Sequence, residues 1–313
     1  AGSMGTGSAQ GIRMGRAYVE LGAHDTFSTQ LRNIQASIGT FATRLTGLGI
    51  RMFAGAAGAA VPFIKAIKIG KDYEYSMARV QAITRATWTM QAKLENEAIK
   101  VGQETVYTTE EVAKAMVILA KSGMGAKNVF DSIRPVIELA TVGMLDVADA
   151  AGVAVKAMAG MRLQGSDMKH VVDVLAAATV SANTDLVELG DALRYSAPMA
   201  NIAGMSIEEL TASIQILSNA GMQGTMAGTI MRGILQTLPA PTADAAKTMK
   251  ALGINIKDTS GKFRPFVDIL AQFERAAKGK GSAEQLSIIG KIFPLRQAGG
   301  IAALVSAGSA QYE

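Results

Sequence analysis

Adjacent carboxylates at Glu110–Glu111 and Glu208–Glu209 are residues whose type and spacing could do acid–base work, one carboxyl holding a proton beside an ionised neighbour. Their surroundings assign them another task. Thr108-x-x-Glu111 and Ser206-x-x-Glu209 are capping boxes, in which a hydroxyl takes an orphan amide and the Glu reaches back. Acidic residues in a first turn also complement the helix dipole. His170 has Asp167 and Asp173 three residues away on either side, and on a helix the three could share a face. No second His lies nearby to complete a metal site, so a half-exposed, hydrogen-bonded histidine is expected. His24 precedes Asp25, which reads as a helix cap. The chain has no Cys, which removes disulfides, thiolate zinc, iron–sulfur clusters and thiol catalysis. His-Glu-x-x-His, Walker A and Gly-x-Ser-x-Gly patterns are all absent from the sequence. Neither an enzyme nor a cofactor is expected.

Two glycine clusters qualify for testing as phosphate cradles. Gly5-Thr6-Gly7-Ser8-Ala9-Gln10-Gly11 has no strand before it and sits in a small, polar stretch that reads as a flexible leader or cloning scar, residues 1–14. Gly221-Met222-Gln223-Gly224-Thr225-Met226-Ala227-Gly228-Thr229 lacks the lysine a phosphate loop needs. Its glycines are better read as structural turn residues that let the next helix begin close to its neighbour, with Gly221, Gly224 and Gly228 joined by Gly123 in that role.

The elements that carry these residues are helices. Across 313 residues, 49% are apolar, only 18% charged and 5% aromatic, with 33 Gly and 17 Met. That composition excludes a disordered chain and favours closely packed helices over a β-sandwich. Six Gly-hydrophobic pairs (Gly123-Met124, Gly143-Met144, Gly160-Met161, Gly204-Met205, Gly221-Met222 and Gly253-Ile254) each follow an apolar-periodic run. They predict Schellman endings, with Gly left-handed and the next side chain packed back. Residues 110–124 align without gaps to 208–222, which predicts a duplicated helical element at an offset of 98 residues. After Leu238-Pro239-Ala240-Pro241 the texture changes. Thr242 caps a helix to Leu252, residues 254–264 read as a small hairpin, Pro265 starts another helix, and Ser282-x-x-Gln285 caps a last one. The expected fold is mainly α, a multi-helix globular domain with a long N-terminal helix and that minor β element. The expected divisions are the leader 1–14, an arm 15–70, a helical core 71–238 and a C-terminal part 239–313.

The arm is the basic part. Between residues 12 and 71, eight Lys/Arg stand against Glu20 and Asp25, whereas from Asp72 onward the signs balance at 23 against 24. Tyr18, Val19 and Leu21 predict a short strand. Then Phe27, Leu31, Ile34, Ile38, Phe41, Leu45 and Leu48 follow alternating steps of four and three, a 3.5-residue seam that predicts association between copies. Met52 to Ile64, rich in Gly and Ala and interrupted by Pro62, is too short for a helical span of a bilayer; it reads as a buried, close-packed element, with an interfacial segment as the alternative.

Several blocks carry a resemblance. Leu217-Ser218-Asn219-Ala220-Gly221-Met222-Gln223-Gly224-Thr225-Met226-Ala227-Gly228-Thr229 resembles the most specific block of the phage tail tape measure core domain. Leu189 to Pro198, Asp173 to Ala178, and Glu111-Val112-Ala113 with Leu119 to Gly123 resemble further blocks of that family, the likeness running from about Gly15 to Gly308. At Phe293-Pro294 the chain departs from an expected Phe-Gly. The resemblance implies a structural protein of the virion tail lumen that helps set tail length and leaves with the genome. It also implies tail tube and tail tip proteins as partners. A chain this long could span only about 470 Å as one continuous helix, so it reads as the globular core of a longer polypeptide. The alternative is a membrane-active ejection component, whose basic arm meets DNA phosphates or anionic lipid without specificity and whose Gly/Ala segment enters the host envelope.

Overall fold

A computed structural model describes residues 60–312, and thirteen α-helices and two 3-10 turns account for most of these described residues. In order these are α1 (Ala60–Thr84), α2 (Trp88–Glu104), α3 (Thr109–Lys121), α4 (Ala126–Gly143), α5 (Val147–Met161), a 3-10 turn at Gly165–Asp167 and α6 (Met168–Ser181). Then follow α7 (Leu186–Ile202), α8 (Ile207–Asn219), α9 (Gly224–Thr237), α10 (Ala243–Ala251), α11 (Phe266–Ala277), α12 (Ser282–Ile292), α13 (Leu295–Ala307) and a 3-10 turn at Ser309–Tyr312. The chain divides at Ile67/Lys68, and the packing described below is that of the part from Lys68 onward. The strand expected at 18–21, the heptad residues Phe27 to Leu48 and most of the Gly/Ala run lie outside the described residues. Pro62 falls in the first turn of α1, where a missing N–H costs nothing.

Helix starts follow local chemistry. Thr108 Oγ1 accepts from Glu111 N while Glu111 Oε2 accepts from Thr108 N at 2.7 Å, and Ser206 with Glu209 does the same. Thr87, Asp185 and Thr242 cap α2, α7 and α10 through side-chain oxygens. The stops are of two kinds. Gly123, Gly204, Gly221 and Gly253 have φ between 73° and 92°, and Met205, Met222 and Ile254 donate back to the carbonyls of Ala200, Leu217 and Met249 at 2.9–3.0 Å. Gly143 and Gly160 do not close their helices as left-handed residues. They stay helical, and the left-handed residues are Met144 (φ 51°), one position after Gly143, and Arg162 (φ 55°), two positions after Gly160. Packing explains the shift. A Cβ on Gly143 would lie 2.6 Å from Leu186 Cδ2, and one on Gly160 2.7 Å from Ala197 Cβ, so both glycines serve close helix contact with α7.

The hairpin expected at 254–264 is a hydrogen-bonded turn rather than a pair of strands. One antiparallel bridge joins Lys257 and Phe263, and Asp258 Oδ1 accepts from Ser260 N, Ser260 Oγ and Lys262 N. Ile254 is buried in the core, Asn255 N is clamped by Gln272 Oε1 at 2.6 Å, and Pro265 leads straight into α11, so neither arm can lengthen. Ser282 is the first residue of α12 rather than its cap, and α13 follows it as a further helix.

The core is continuous from Met77 to Leu304 and is built mainly from Ala, Met, Leu, Ile and Val, with Phe266 and Phe293 among its largest fully buried side chains. Within it a three-helix unit occurs twice. Helices α2 and α7 have 17 residues each, α3 and α8 have 13 each, and all three helix starts of the second unit lie 98 residues beyond their counterparts, including those of α4 and α9. The duplication expected for one helix therefore extends to three.

Candidate functional site

In the second unit α7 and α9 run parallel. A Cβ on Gly224 would approach Glu188, Gly228 faces Ala192, and Arg232 lies over Tyr195, each step advancing along both helices. Gly228 is not in a turn. It sits on the second turn of α9, fully helical, and a Cβ there would lie 2.8 Å from Ala192 Cα and 2.9 Å from its carbonyl carbon. Backbone cannot yield as a side chain can, so only glycine lets the two helices meet at this distance. Gly224 is the first residue of α9 with φ 54°, and Gly221 and Gly123 are the left-handed residues that follow α8 and α3. On the far side, Gly300 of α13 receives Ile230, and Gly190 of α7 receives the methyls of Val153 in α5. Among the residues expected to matter, Gly224 and Gly228 are thus brought to one helix pair, while Gly123 and Gly221 occupy equivalent loops of the two units.

The outer surface of this pair carries a compact polar–aromatic cluster. The Arg194 guanidinium lies 5.0 Å from the Tyr195 ring centre and the Arg232 guanidinium 5.9 Å from it, distances at which a cation is attracted to the ring. Arg194 reaches Asp191 at 3.4 Å. At the equivalent place in the first unit, Arg134 of α4 holds Glu97 at 2.5 Å and Glu104 at 3.1 Å. Arg134 and Arg232 are 98 residues apart, as are Glu97 and Tyr195. The same contact between third and first helices is therefore made with different chemistry. Neither arginine stands out in a single pass along the sequence; extending the 98-residue alignment past Met124/Met222 is the signal that finds them.

The acidic pairs behave as helix starts. Glu111 and Glu209 close capping boxes, and Glu110 pairs with Lys114 one turn on. Glu208 reaches His170 Nε2 at 2.5 Å, joining α8 to α6. Burial pushes the Glu208 carboxyl up, but hydrogen bonds from its own backbone amide and the Ser206 hydroxyl, then the nearby His170, hold it below the usual carboxylate range. The two aspartates flanking His170 turn elsewhere. Asp173 takes Lys169 at 2.8 Å and Asp167 accepts from Gln164 N at 2.8 Å. Among the described residues no three His, Cys, Asp or Glu gather as a metal site. What the geometry provides is a helical scaffold with close packing inside and intrachain ion pairs and cation–ring contacts outside.

Residues 95–293 match the family described as phage-related minor tail protein. The chain belongs to that family, a phage tail tape measure family. It is 32% identical over 265 residues to the tape measure protein of Pneumococcus phage Dp-1, covering 84% of this chain and 23% of that protein. It is 28% identical over 285 residues to the probable tape measure protein of Escherichia phage P2, covering 90% of this chain and 34% of that one. The chain thus spans about a quarter to a third of the length of these relatives. No solved structure matches it significantly.

Proposed function

We propose that this chain is the helical core of a tape measure protein, a structural part of a phage or prophage tail that acts in tail assembly and length determination and in genome ejection. The observation that carries this reading is the 32% identity to a tape measure protein across 84% of the chain. Copies associate through the heptad seam from Phe27 to Leu48, with tail tube and tail tip proteins around them. The basic arm faces genome phosphates through sequence-independent attraction. Purified tails of the source phage or prophage, probed by mass spectrometry, should contain this chain, and in-frame deletion of the core should abolish normal tails in electron micrographs. Full-length, normally proportioned tails after that deletion would overturn the reading.

The seam has its own test. Replacing Ile34 and Phe41 by Asp in the 313-residue chain should give monomers with unchanged helical content; a wild type that is monomeric at high concentration would remove self-association. As for the alternative of envelope entry, no helix among the described residues is long and apolar enough to cross a membrane. Leakage of anionic liposomes that depends on residues 1–60 would be the observation in its favour.

A further inference from the structure

The duplicated unit works as an internal control for what the outer face of α7 and α9 lacks. In the first unit, Arg134 is neutralised within the chain by Glu97 and Glu104. In the second unit the arginine is kept, as Arg232, but the two carboxylate positions are occupied by Tyr195 and Ile202. Arg232 forms no ion pair among the described residues. Helix α9 contains no acidic residue, and of the two in α7, Asp191 is engaged by Arg194 while Glu188 is hydrogen-bonded to Thr184 at the helix start. Along the same stripe of α7, Val187 and Ile202 are exposed, Ile202 to 71%. On α7, Val187, Asp191, Tyr195, Pro198 and Ile202 recur every three or four residues, so they form one stripe.

We propose that the Arg194–Tyr195–Arg232 face of α7 and α9 is a docking surface for a protein segment that brings carboxylates beside apolar side chains. The missing intrachain carboxylates define the charge of the occupant. Each guanidinium offers a fork of N–H donors that pairs with a carboxylate in two-point fashion, and Tyr195 fixes both guanidiniums in place at little entropic cost. Arg and Tyr flanked by aliphatic groups is also the composition of energetically dominant interface centres. A nucleic acid fits less well. Neither helix carries a lysine, two arginines with one engaged give few phosphate contacts, and a phosphate backbone leaves Val187 and Ile202 unmatched. This deepens the tail-assembly reading, on which it rests for where such a partner is met and not for the partner's chemistry.

The probe is a fluorescein-labelled, 18-residue helical peptide with two Glu seven residues apart and Leu on the same face, titrated by anisotropy into the 313-residue chain. Saturable binding is expected, weakened at least tenfold by Arg232→Gln and by Tyr195→Ala, and unaltered by Arg134→Gln. Arg232→Lys should fall between, since it keeps the charge and loses the fork. A peptide with Gln in place of both Glu should not bind. Circular dichroism and melting temperature confirm that each variant is folded, and the Lys variant keeps the test valid should the Gln variant unfold. No binding, equal binding by wild type and all Arg232 and Tyr195 variants, or tighter binding of a 30-base-pair duplex at the same salt would each overturn the proposal. Absence of the chain from purified tails would sink the tail reading and leave the peptide result standing.

Discussion

The first and second three-helix units repeat one backbone plan and solve its packing in opposite ways. Where the first helix of the second unit faces the third, α7 and α9 set Ala192 against Gly228, and the positions 98 residues earlier on α2 and α4 hold Leu94 and Phe130. Leu94 and Phe130 are too large to allow such an approach at their positions. The small pair lets backbone meet backbone. Outside, the first unit is laced with ion pairs (Arg134 with Glu97 and Glu104, Lys127 with Asp131), while the second has lost those carboxylates and shows aliphatic and aromatic groups. Residue size at the Gly228–Ala192 contact sets how closely α7 and α9 approach.

The comparison breaks most sharply at Gly228. Gly228→Val should destabilise the chain by about 3 kcal/mol or more, since the new side chain meets the Ala192 backbone and the helices must separate against α5 and α13. Chemical denaturation of the variant measures this. A matched control is Gly152→Ala on α5, where a Cβ meets nothing within 4 Å; there the helix should be unchanged or gain up to about 1 kcal/mol. Equal losses at both positions would mean that the interlock does not hold the second unit.

The two units should behave alike at their shared turns. Gly123 and Gly221 have φ of 92° and 83° with open space around the missing Cβ, so Ala costs backbone strain alone, about 1 kcal/mol at each. A difference between them well beyond that size would mean that the loops are not equivalent.

A third comparison concerns the buried face of the middle helix. Where α3 has Ala113, Ala115 and Ala120, α8 has Thr211, Ser213 and Ser218, all buried. Ser213 Oγ is satisfied, lying 2.8 Å from the Glu209 carbonyl and 3.0 Å from Tyr312 Oη, which pins the C-terminal turn to α8. Ser218 Oγ makes no hydrogen bond. Ser218→Ala, which copies the first unit, should therefore stabilise by about 0.5–1 kcal/mol, whereas Ser213→Ala should destabilise by a similar amount. Thermal melts of the two variants read the opposite signs directly.

Which of these features could be read from sequence follows from how far the cause lies along the chain. Capping boxes at Thr108 and Ser206 and left-handed glycines at 123 and 221 depend on neighbours within four residues, so their spacing reveals them. Gly143 and Gly160 look identical to those turn glycines locally, yet Leu186 and Ala197, some 40 residues away, decide their role. The 254–264 segment alternates like a hairpin, but Gln272 and the start of α11 hold it as a turn. Helix α13 was hidden because Gly299 and Gly300 argue against a helix unless one knows that Ile230 packs against the second of them. The Arg–Tyr cluster required two segments to be compared rather than one to be read.

The smallest expected effect separates the units by pH. Glu110 and Glu208 are equivalent first-turn carboxylates with different partners: Glu110 holds Lys114 within α3 at 2.6 Å, and Glu208 holds His170 across to α6. The Glu110 hydrogen bond raises the Lys114 amine above its usual range, so this contribution is complete below about pH 10 and fades as pH climbs through the raised value. The Glu208 carboxyl is held below its usual value, so its contribution is complete above about pH 5 and fades as pH falls through the depressed value. The Lys114 amine and both members of the His170–Glu208 pair are well exposed, which limits each pair to a few tenths of a kcal/mol. Melting temperatures of wild type, Glu208→Gln and Glu110→Gln across the two ranges should show the first variant converging on wild type in acid and the second converging in alkali. Convergence of both at the same end would mean that the two carboxylates do the same work, and that the units differ only in how closely their helices pack.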